Sequence, residues 1–264
     1  MMTCCTGAGV ESMTKGYGAA GLPEIADEIL HNKEAEDCLL PMGITSENVA
    51  KDFGITRESQ DRFAVSSFQK AAAALKAGKF RAEIVPIKTK TVDPKTEKEV
   101  EIIIDADDGI RDGVTFESLA KLKPAFAKDG STHAGMSVFL VACRASTSMF
   151  PCSGNASQVS DGAAAVLLAR RSVAKRLGLP IIGKYVTGVV AGVPPRIMGV
   201  GPALAIPKVL EKTGLSLSDI DFFEINEAFA SQAVYCVEKL GIPYEKVNVH
   251  GGAIAIGHPL GCSK

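Results

Sequence analysis

The spacing of apolar and polar positions changes period several times along the chain, and each change predicts an element. From residue 44 to 80 the pattern is helical. Thr45-Ser46-Glu47-Asn48 reads as the cap of a first helix that ends near Gly54. Thr56 reads as the N-cap of a second helix, with Ser59 in its third helical position. That helix runs through an alanine-rich stretch to Gly78, and Phe63, Val65, Phe68 and Ala72 supply much of its apolar content. Residues 83–104 are strand-like: IVPIKTKTV and EVEIII flank Asp93-Pro94-Lys95-Thr96, the pattern of a hairpin. A short helix over 115–122 stops near Pro124.

From Ser160 onward strands and helices alternate. DGAAAVLLARR reads as a buried strand, SVAKRLG as a helix or turn, and IIGKYVTGVV as a strand. PALAIPKVLEKTG is a helix, IDFFEIN a strand, EAFASQAVYCVEKLG a helix, and VNVHGGAIAIGHPLG a strand with a Gly-rich loop. This order implies a layered α/β domain. Two stretches stand apart. MMTCCTGAGVESM reads as a short strand and a Gly-containing turn, an edge that is hard to stabilise alone. Residues 136–154 hold eleven apolar residues and one charge, Arg144, inside a Gly/Ser/Asn loop. They read as a buried strand, as an acyl-tail surface, or as an insertion, and we prefer the third.

Composition narrows the function classes. The chain has 264 residues, enough for one large domain or two ordinary ones. A net charge of −1 points to no nucleic-acid or acidic-membrane partner, though it leaves room for a local basic pocket. No apolar run has the length of a membrane span, and the N-terminus lacks the basic and apolar regions of a signal peptide. The seven cysteines form no CxxC pair and no metal-ligand cluster with histidine, which fits free thiols in a reducing compartment. No metal site is expected. The final Ser263-Lys264 is one leucine short of a peroxisomal tripeptide, which we read as coincidence.

Candidate chemistry concentrates in two segments. Asn226-Glu227-Ala228-Phe229-Ala230 sits where a strand gives way to a helix, the position at which α/β sheets hold ligands. The Asn226 amide there either donates to a carbonyl oxygen or serves as a helix N-cap. In the run from Gly251 to Gly261, glycines around His258 allow close backbone approach to a ligand. His258 is either a general base or thiol activator, or a surface histidine.

NEAFA followed by GGAIAIGHPLG resembles the thiolase family. GVESM at 9–13, PMGITSENVA at 41–50, LKPAF at 122–126, SQVSDGAAAVLLARR at 157–171 and MGVGPALAIP at 198–207 are also similar to thiolase segments, with the greatest likeness to peroxisomal 3-ketoacyl-CoA thiolases of fungal type. The resemblance implies an α/β, layered αβαβα fold with an inserted loop domain, here incomplete. It implies thiolytic cleavage of a 3-ketoacyl-CoA to acetyl-CoA and a shortened acyl-CoA, with coenzyme A as substrate and no bound cofactor. Acyl-CoA would be the partner, the location peroxisomal or otherwise cytoplasmic, and the family homo-oligomeric through a strand not found here. His258 matches the histidine that activates the nucleophile, and Asn226 the asparagine that positions an oxyanion-hole water. Arg111 matches a position near the nucleotide of coenzyme A, and Ser157 and Phe126 match positions along the pantetheine arm. Met42 and Phe229 match the acyl-pocket wall. Each has a plainer alternative: a solvated arginine, or core packing for Met42, Phe126 and Phe229.

The family also implies two cysteines. The nucleophile belongs about a helix and a strand before GVESM, whereas Cys4 and Cys5 fall on the strand leading into that turn. The acid/base cysteine belongs well after GHPLG, and Cys262 is too close to His258. Neither role is assigned, and the chain by itself is expected to be inactive and poorly soluble. The expected division is 1–16 with 160–182 as parts of a first thiolase half, 17–159 as the loop domain, and 183–264 as part of a second half. Removing 136–154 rejoins Thr132-His133-Ala134-Gly135 to Asn155-Ala156-Ser157-Gln158. Gly-Met-Ser and Ser263-Lys264 can both be encoded across splice-donor-like sequences. We therefore read 136–154 and 263–264 as retained intron, with residues 1–8 of similar origin.

Overall fold

The computed structural model describes residues 4–16, 24–92, 96, 98–133 and 154–262. Strand β1 (Cys4–Ser12) leads into the one-turn helix α1 (Met13–Gly16). Short helices α2 (Asp27–Leu30) and α3 (Lys33–Asp37) precede the long helices α4 (Met42–Phe53) and α5 (Arg57–Lys76). The hairpin β2 (Ile87–Val92) and β3 (Glu99–Ile104) is followed by helix α6 (Phe116–Ala120). Strand β4 (Asp161–Ala169) and helix α7 (Arg171–Arg176) come next, then α8 (Gly201–Thr213), α9 (Ala230–Leu240) and the one-turn α10 (Ala253–Ile256).

Helix α5 forms as its sequence predicts. The Thr56 hydroxyl accepts the Ser59 amide at 3.1 Å, and the buried positions Gln60, Phe63, Ala64, Ser67, Phe68 and Ala71 lie on one face. Gly54 ends α4 in the left-handed conformation, with φ 68°. The start of α4 differs from expectation: it begins at Met42 behind Pro41, and Thr45 lies inside the first turn, where its hydroxyl bonds the Met42 carbonyl at 2.7 Å. Helix α9 buries Ala230, Ala233, Val234 and Val237 at the same helical spacing. These faces meet Leu119 of α6 and Ile254 and Ala255 of α10 in one core. A second, smaller core gathers Phe223, Ile225, Val237, Ile242 and Val247 beneath the far end of α9.

The sheets are smaller than the apolar runs suggested. Among the described residues β1 pairs antiparallel with β4, and β2 pairs antiparallel with β3. Strand β1 runs straight through Gly7 and Gly9, so no turn forms there, and β4 supplies the partner that the N-terminal edge needed. DGAAAVLLARR is a strand but not a buried one: Val166, Leu167 and Leu168 are exposed. IIGKYVTGVV has no ladder, and IDFFEIN and VNVH are reduced to the single parallel bridge Phe223↔Val247. A β-strand is stabilised by cross-strand partners, and an apolar run without one stays extended but unpaired.

The segment 136–153 lies outside the described residues, but its flanks do not. The His133 amide donates to Asn155 Oδ1 at 2.9 Å, and the Asn155 amide donates back to His133 Nδ1 at 3.2 Å. Because Nδ1 accepts, the ring proton sits on Nε2, which donates to Asp61 Oδ1 at 2.7 Å. Asn155 Nδ2 also donates to Asp61 Oδ1 at 3.0 Å, and Arg57 bonds the other carboxylate oxygen at 2.7 Å. The two flanks are thus joined over a buried, fully bonded carboxylate on α5. No described helix is long and apolar enough to cross a membrane.

Candidate active site

Asn226 lies on the turn between the Phe223 bridge and α9. Its setting comes from Asn248, whose Oδ1 accepts the Ile225 amide and whose Nδ2 donates to the Ile225 carbonyl, both at 2.8 Å. Asn248 holds φ 45°, a left-handed conformation that asparagine tolerates better than most residues. Helix α9 is entered at Phe229 with no side-chain cap, so Asn226 is not an N-cap. Its Nδ2 instead lies 3.3 Å from His258 Nε2. An amide N–H only donates, so this contact requires the lone pair of Nε2 and a neutral imidazole protonated on Nδ1.

His258 is half-buried at the end of a glycine-shaped loop. Gly257 has φ 96°, and a Cβ there would overlap Ser160 Oγ, so only glycine brings the chain past Ser160 to His258. The His258 amide donates to the Gln158 carbonyl at 3.2 Å. The Gln158 side-chain amide reaches Gly109, Ile254 and Ala255 carbonyls at 3.0, 3.1 and 3.1 Å, holding the end of α10 in place. The Gly261 amide donates to Glu11 at 2.9 Å, which ties this loop to β1.

Asn226 and His258 open on a cavity of about 240 Å³ walled by Met42, Val49, Met198 and Phe229. Its walls are largely apolar, Thr45, Ser46 and Gln232 also line it, and Asn226 and His258 sit beside each other. Phe126 meets Phe229 edge-on, with ring centroids 6.4 Å apart and planes at 86°. Ser157 lies just before β4, beside the site: its amide donates to the Ala228 carbonyl at 2.9 Å, and Ala156 forms an isolated bridge with Phe229. The structure therefore brings Asn226, His258, Met42 and Phe229 to one cavity, with Phe126 and Ser157 against its wall. Arg111 is elsewhere. It lines a separate cleft of about 190 Å³ with Lys76 and Asp112, and Gly109, two residues before it, accepts the Gln158 side-chain amide at 3.0 Å.

Cysteine chemistry is not built into this cavity among the described residues, none of whose cysteines lines it. Cys236 is buried in α9, and that burial pushes its thiol up to about 11, well away from a reactive thiolate at neutral pH. Cys262 is buried near Gly162. No described group of three or more His, Cys, Asp or Glu residues could hold a metal ion. Residues that pattern reading passed over are Gln158, Gln232 and Glu227. Gln232 donates to the Asn226 carbonyl at 3.0 Å, and nothing in local spacing signals such a role.

Residues 2–146 match the family description "Thiolase, N-terminal domain", and residues 179–264 match "Thiolase, C-terminal domain". The chain belongs to the thiolase family. Among curated thiolases it is 58% identical over 256 residues to peroxisomal 3-ketoacyl-CoA thiolase B of Rattus norvegicus, covering 97% of this chain and 55% of that one. It is 53% identical over 257 residues to the peroxisomal 3-ketoacyl-CoA thiolase of Yarrowia lipolytica, covering 97% of this chain and 57% of the relative. Among solved structures it is similar to the dimeric peroxisomal thiolase of Saccharomyces cerevisiae. The TM-score is 0.83 at 52% identity, over 99% of this chain and 60% of that one. Human mitochondrial 3-ketoacyl-CoA thiolase gives a TM-score of 0.77 at 35% identity, over 98% and 62%. The chain thus spans little more than half the length of the curated thiolases it matches, and its layered α/β fold is a partial thiolase fold.

Proposed function

We propose that this chain carries the histidine and asparagine side of a thiolase acyl-transfer site. The supporting observation is the 3.3 Å contact between Asn226 Nδ2 and His258 Nε2 at the mouth of an apolar cavity. In the reaction proposed, a cysteine thiolate adds to the keto carbon of a 3-ketoacyl-CoA and the adjacent carbon–carbon bond breaks. The electron pair passes to the acetyl-CoA enolate, which is then protonated. His258 activates a thiol and steadies the thioester oxygen. Asn226 orients the donor, a water, that faces the enolate oxygen. Met42 and Phe229 wall the acyl chain, Phe126 and Ser157 flank the pantetheine arm, and Arg111 reaches the nucleotide end from its own cleft. Coenzyme A is a substrate rather than a resident cofactor. The peroxisome is the proposed location, in keeping with the names of the relatives, and the proposed division is 1–16 with 160–182, 17–159, and 183–264.

A second reading is favoured by one specific observation: no described thiol lines the cavity. On that reading the chain binds acyl-CoA without turning it over, or pairs with a full-length thiolase subunit. Calorimetric titration with coenzyme A and with a 3-ketoacyl-CoA, beside a thiolysis assay on the same preparation, separates the readings. Binding of either ligand, weakened in His258→Ala and Asn226→Ala, supports the site. Turnover abolished by one Cys→Ser change identifies an acting nucleophile and excludes the binding-only reading. No binding of either ligand at millimolar concentration overturns the acyl-transfer and the binding-only readings, and failure to co-purify with a full-length thiolase overturns the pairing one.

A further inference from the structure

The residue after Asn226 is a buried acid that the site chemistry does not use. Glu227 is 1% exposed, and its carboxylate takes three donors from three parts of the chain. Ser67 of α5 donates its hydroxyl to Oε2 at 2.6 Å, Asn248 donates Nδ2 to Oε1 at 2.7 Å, and the Ile254 amide donates to Oε2 at 3.2 Å. Each partner has a second task in the same region. Ser67 Oγ accepts the Gly252 amide at 3.0 Å, which leaves its own proton for Glu227. Asn248 holds both backbone groups of Ile225, the residue on the other side of Asn226. Ile254 belongs to the first turn of α10, whose last residue is two positions before His258. A side chain at Gly252 would occupy the space of the Glu227 carboxylate, so the fit between loop and acid is close. Lys70, whose ammonium bonds the Val247 carbonyl at 2.7 Å, is the nearby positive charge. Burial lowers its pKa, and Glu227, Glu224 and Glu245 offset part of that effect.

We propose that Glu227 is a positioning residue that joins the Asn226 turn to the start of α10 and thereby sets the Asn226–His258 contact. The catalytic meaning of the inference rests on the acyl-transfer reading, but the coupling itself does not. A carboxylate is needed because all three contacts are donors. In Glu227→Gln one end of the side chain becomes an NH2 group. Placed at Oε2 it faces Ser67 and the Ile254 amide, and placed at Oε1 it faces Asn248. Either way a donor meets a donor inside a buried site, and the turn or α10 must shift.

The test reads His258 directly in the ligand-free full chain. Of the four histidines, His258 is assigned in a ¹⁵N-histidine-labelled sample as the signal lost in His258→Gln. In the native protein its Nε2 should show the unprotonated signature at neutral pH. Glu227→Gln should move the Nε2 resonance and its titration midpoint in the same direction as Asn226→Ala. The double variant should show no further movement, because both changes remove one contact. Ser67→Ala, which removes one donor and keeps the charge, should give the same movement at smaller size and carries the test if Glu227→Gln does not fold. An unchanged His258 signal in a folded Glu227→Gln or Ser67→Ala variant overturns the proposal. So does a shift that adds fully to that of Asn226→Ala. A purely structural role would lower the unfolding temperature without producing this non-additivity. Coenzyme A titration on the same samples keeps the two readings apart: failure to bind defeats the acyl-transfer reading and leaves the coupling standing, while additive shifts with intact binding do the reverse.

Discussion

Helix α9 and strand β4 both carry mostly apolar sequence and end in opposite states. In α9 seven residues are buried, including Ala230, Ala233, Val234 and Val237. In β4 the run Val166, Leu167 and Leu168 is 55%, 58% and 43% exposed. The extended stretch that follows adds Ile182, Tyr185, Val186 and Val190, all exposed. Burial here follows partnership rather than hydrophobicity. A helix satisfies its own backbone and needs only one packed face, whereas a two-stranded sheet leaves two edges and two faces open and is marginal alone. The candidate site rests on the first kind of structure and is tied to the second by Met13, whose sulfur faces the Ser160 amide at 3.5 Å, and by Glu11.

The largest expected effect is in the helical core. Phe68 is 1% exposed and packs in the cluster shared by α5, α9 and α10. Phe68→Ala should cost about 3–5 kcal/mol in denaturant unfolding, enough to remove much of the stability of an ordinary domain. A loss below about 1 kcal/mol would mean that this unit is not the stable part of the molecule and would reverse the comparison.

Next in size is a pH effect confined to the same unit. The Cys236 thiol is raised from 9.0 to about 11 by burial. Between those values the folded chain keeps a proton that the unfolded chain loses, so stability falls as pH rises from 9 to 11. Cys236→Ala should flatten that fall by about 1–3 kcal/mol at its upper end, while starting from a somewhat less stable protein at pH 8. Tyr244, raised to about 12 chiefly by burial and then by Glu238, keeps a slope of its own in both proteins, so the difference between them isolates the cysteine. In alkylation at pH 8, mapped by mass spectrometry, Cys4 and Cys38 should react long before Cys236, since both are exposed. Equal rates would show that α9 opens as readily as the strand pair.

A smaller effect concerns the segment between the two regions. His133 and Asn155 are joined by two hydrogen bonds over Asp61, so the path from α6 toward β4 is already closed there. Deleting 136–154 and joining Gly135 to Asn155 should leave the unfolding transition intact and raise stability by up to about 1–2 kcal/mol through the shorter loop. A deletion that destabilises would show that those residues pack on the described core and belong to the fold.

Local signals carried the reading where local physics decides the outcome. The Thr56 cap, the Gly54 stop and the apolar face of α5 are settled within a few residues, and they stood out in the sequence. The strands at 181–190 and 220–226 did not form ladders, because a strand is a property of two segments and an apolar run reports only one. The contact between Asn226 and His258 joins residues 32 apart and was legible through family resemblance, not spacing. Glu227 and Gln158 were passed over for a related reason. An acid and an amide acquire these tasks only when α5, α10 and the Asn226 turn meet, and no periodicity announces that meeting.

The smallest stability effect is the most informative about the strand pair. Leu167 pairs with Thr6 and is 58% exposed, so Leu167→Thr removes little packing and introduces a β-branched side chain suited to a strand. Unfolding should change by less than about 0.5 kcal/mol, the usual range for an exposed position. Self-association should respond far more, because an exposed apolar strand with open edges is a template for pairing with other chains. Sedimentation velocity over a concentration series should therefore show less aggregate for Leu167→Thr, and less again when Ile182→Thr is added, at unchanged unfolding midpoint. A loss of 2 kcal/mol or more, as in a core substitution, would mean that β4 is covered in solution by another copy or another protein. The contrast between the regions would then describe an isolated chain rather than the working molecule, and Leu167 would mark where its partner sits.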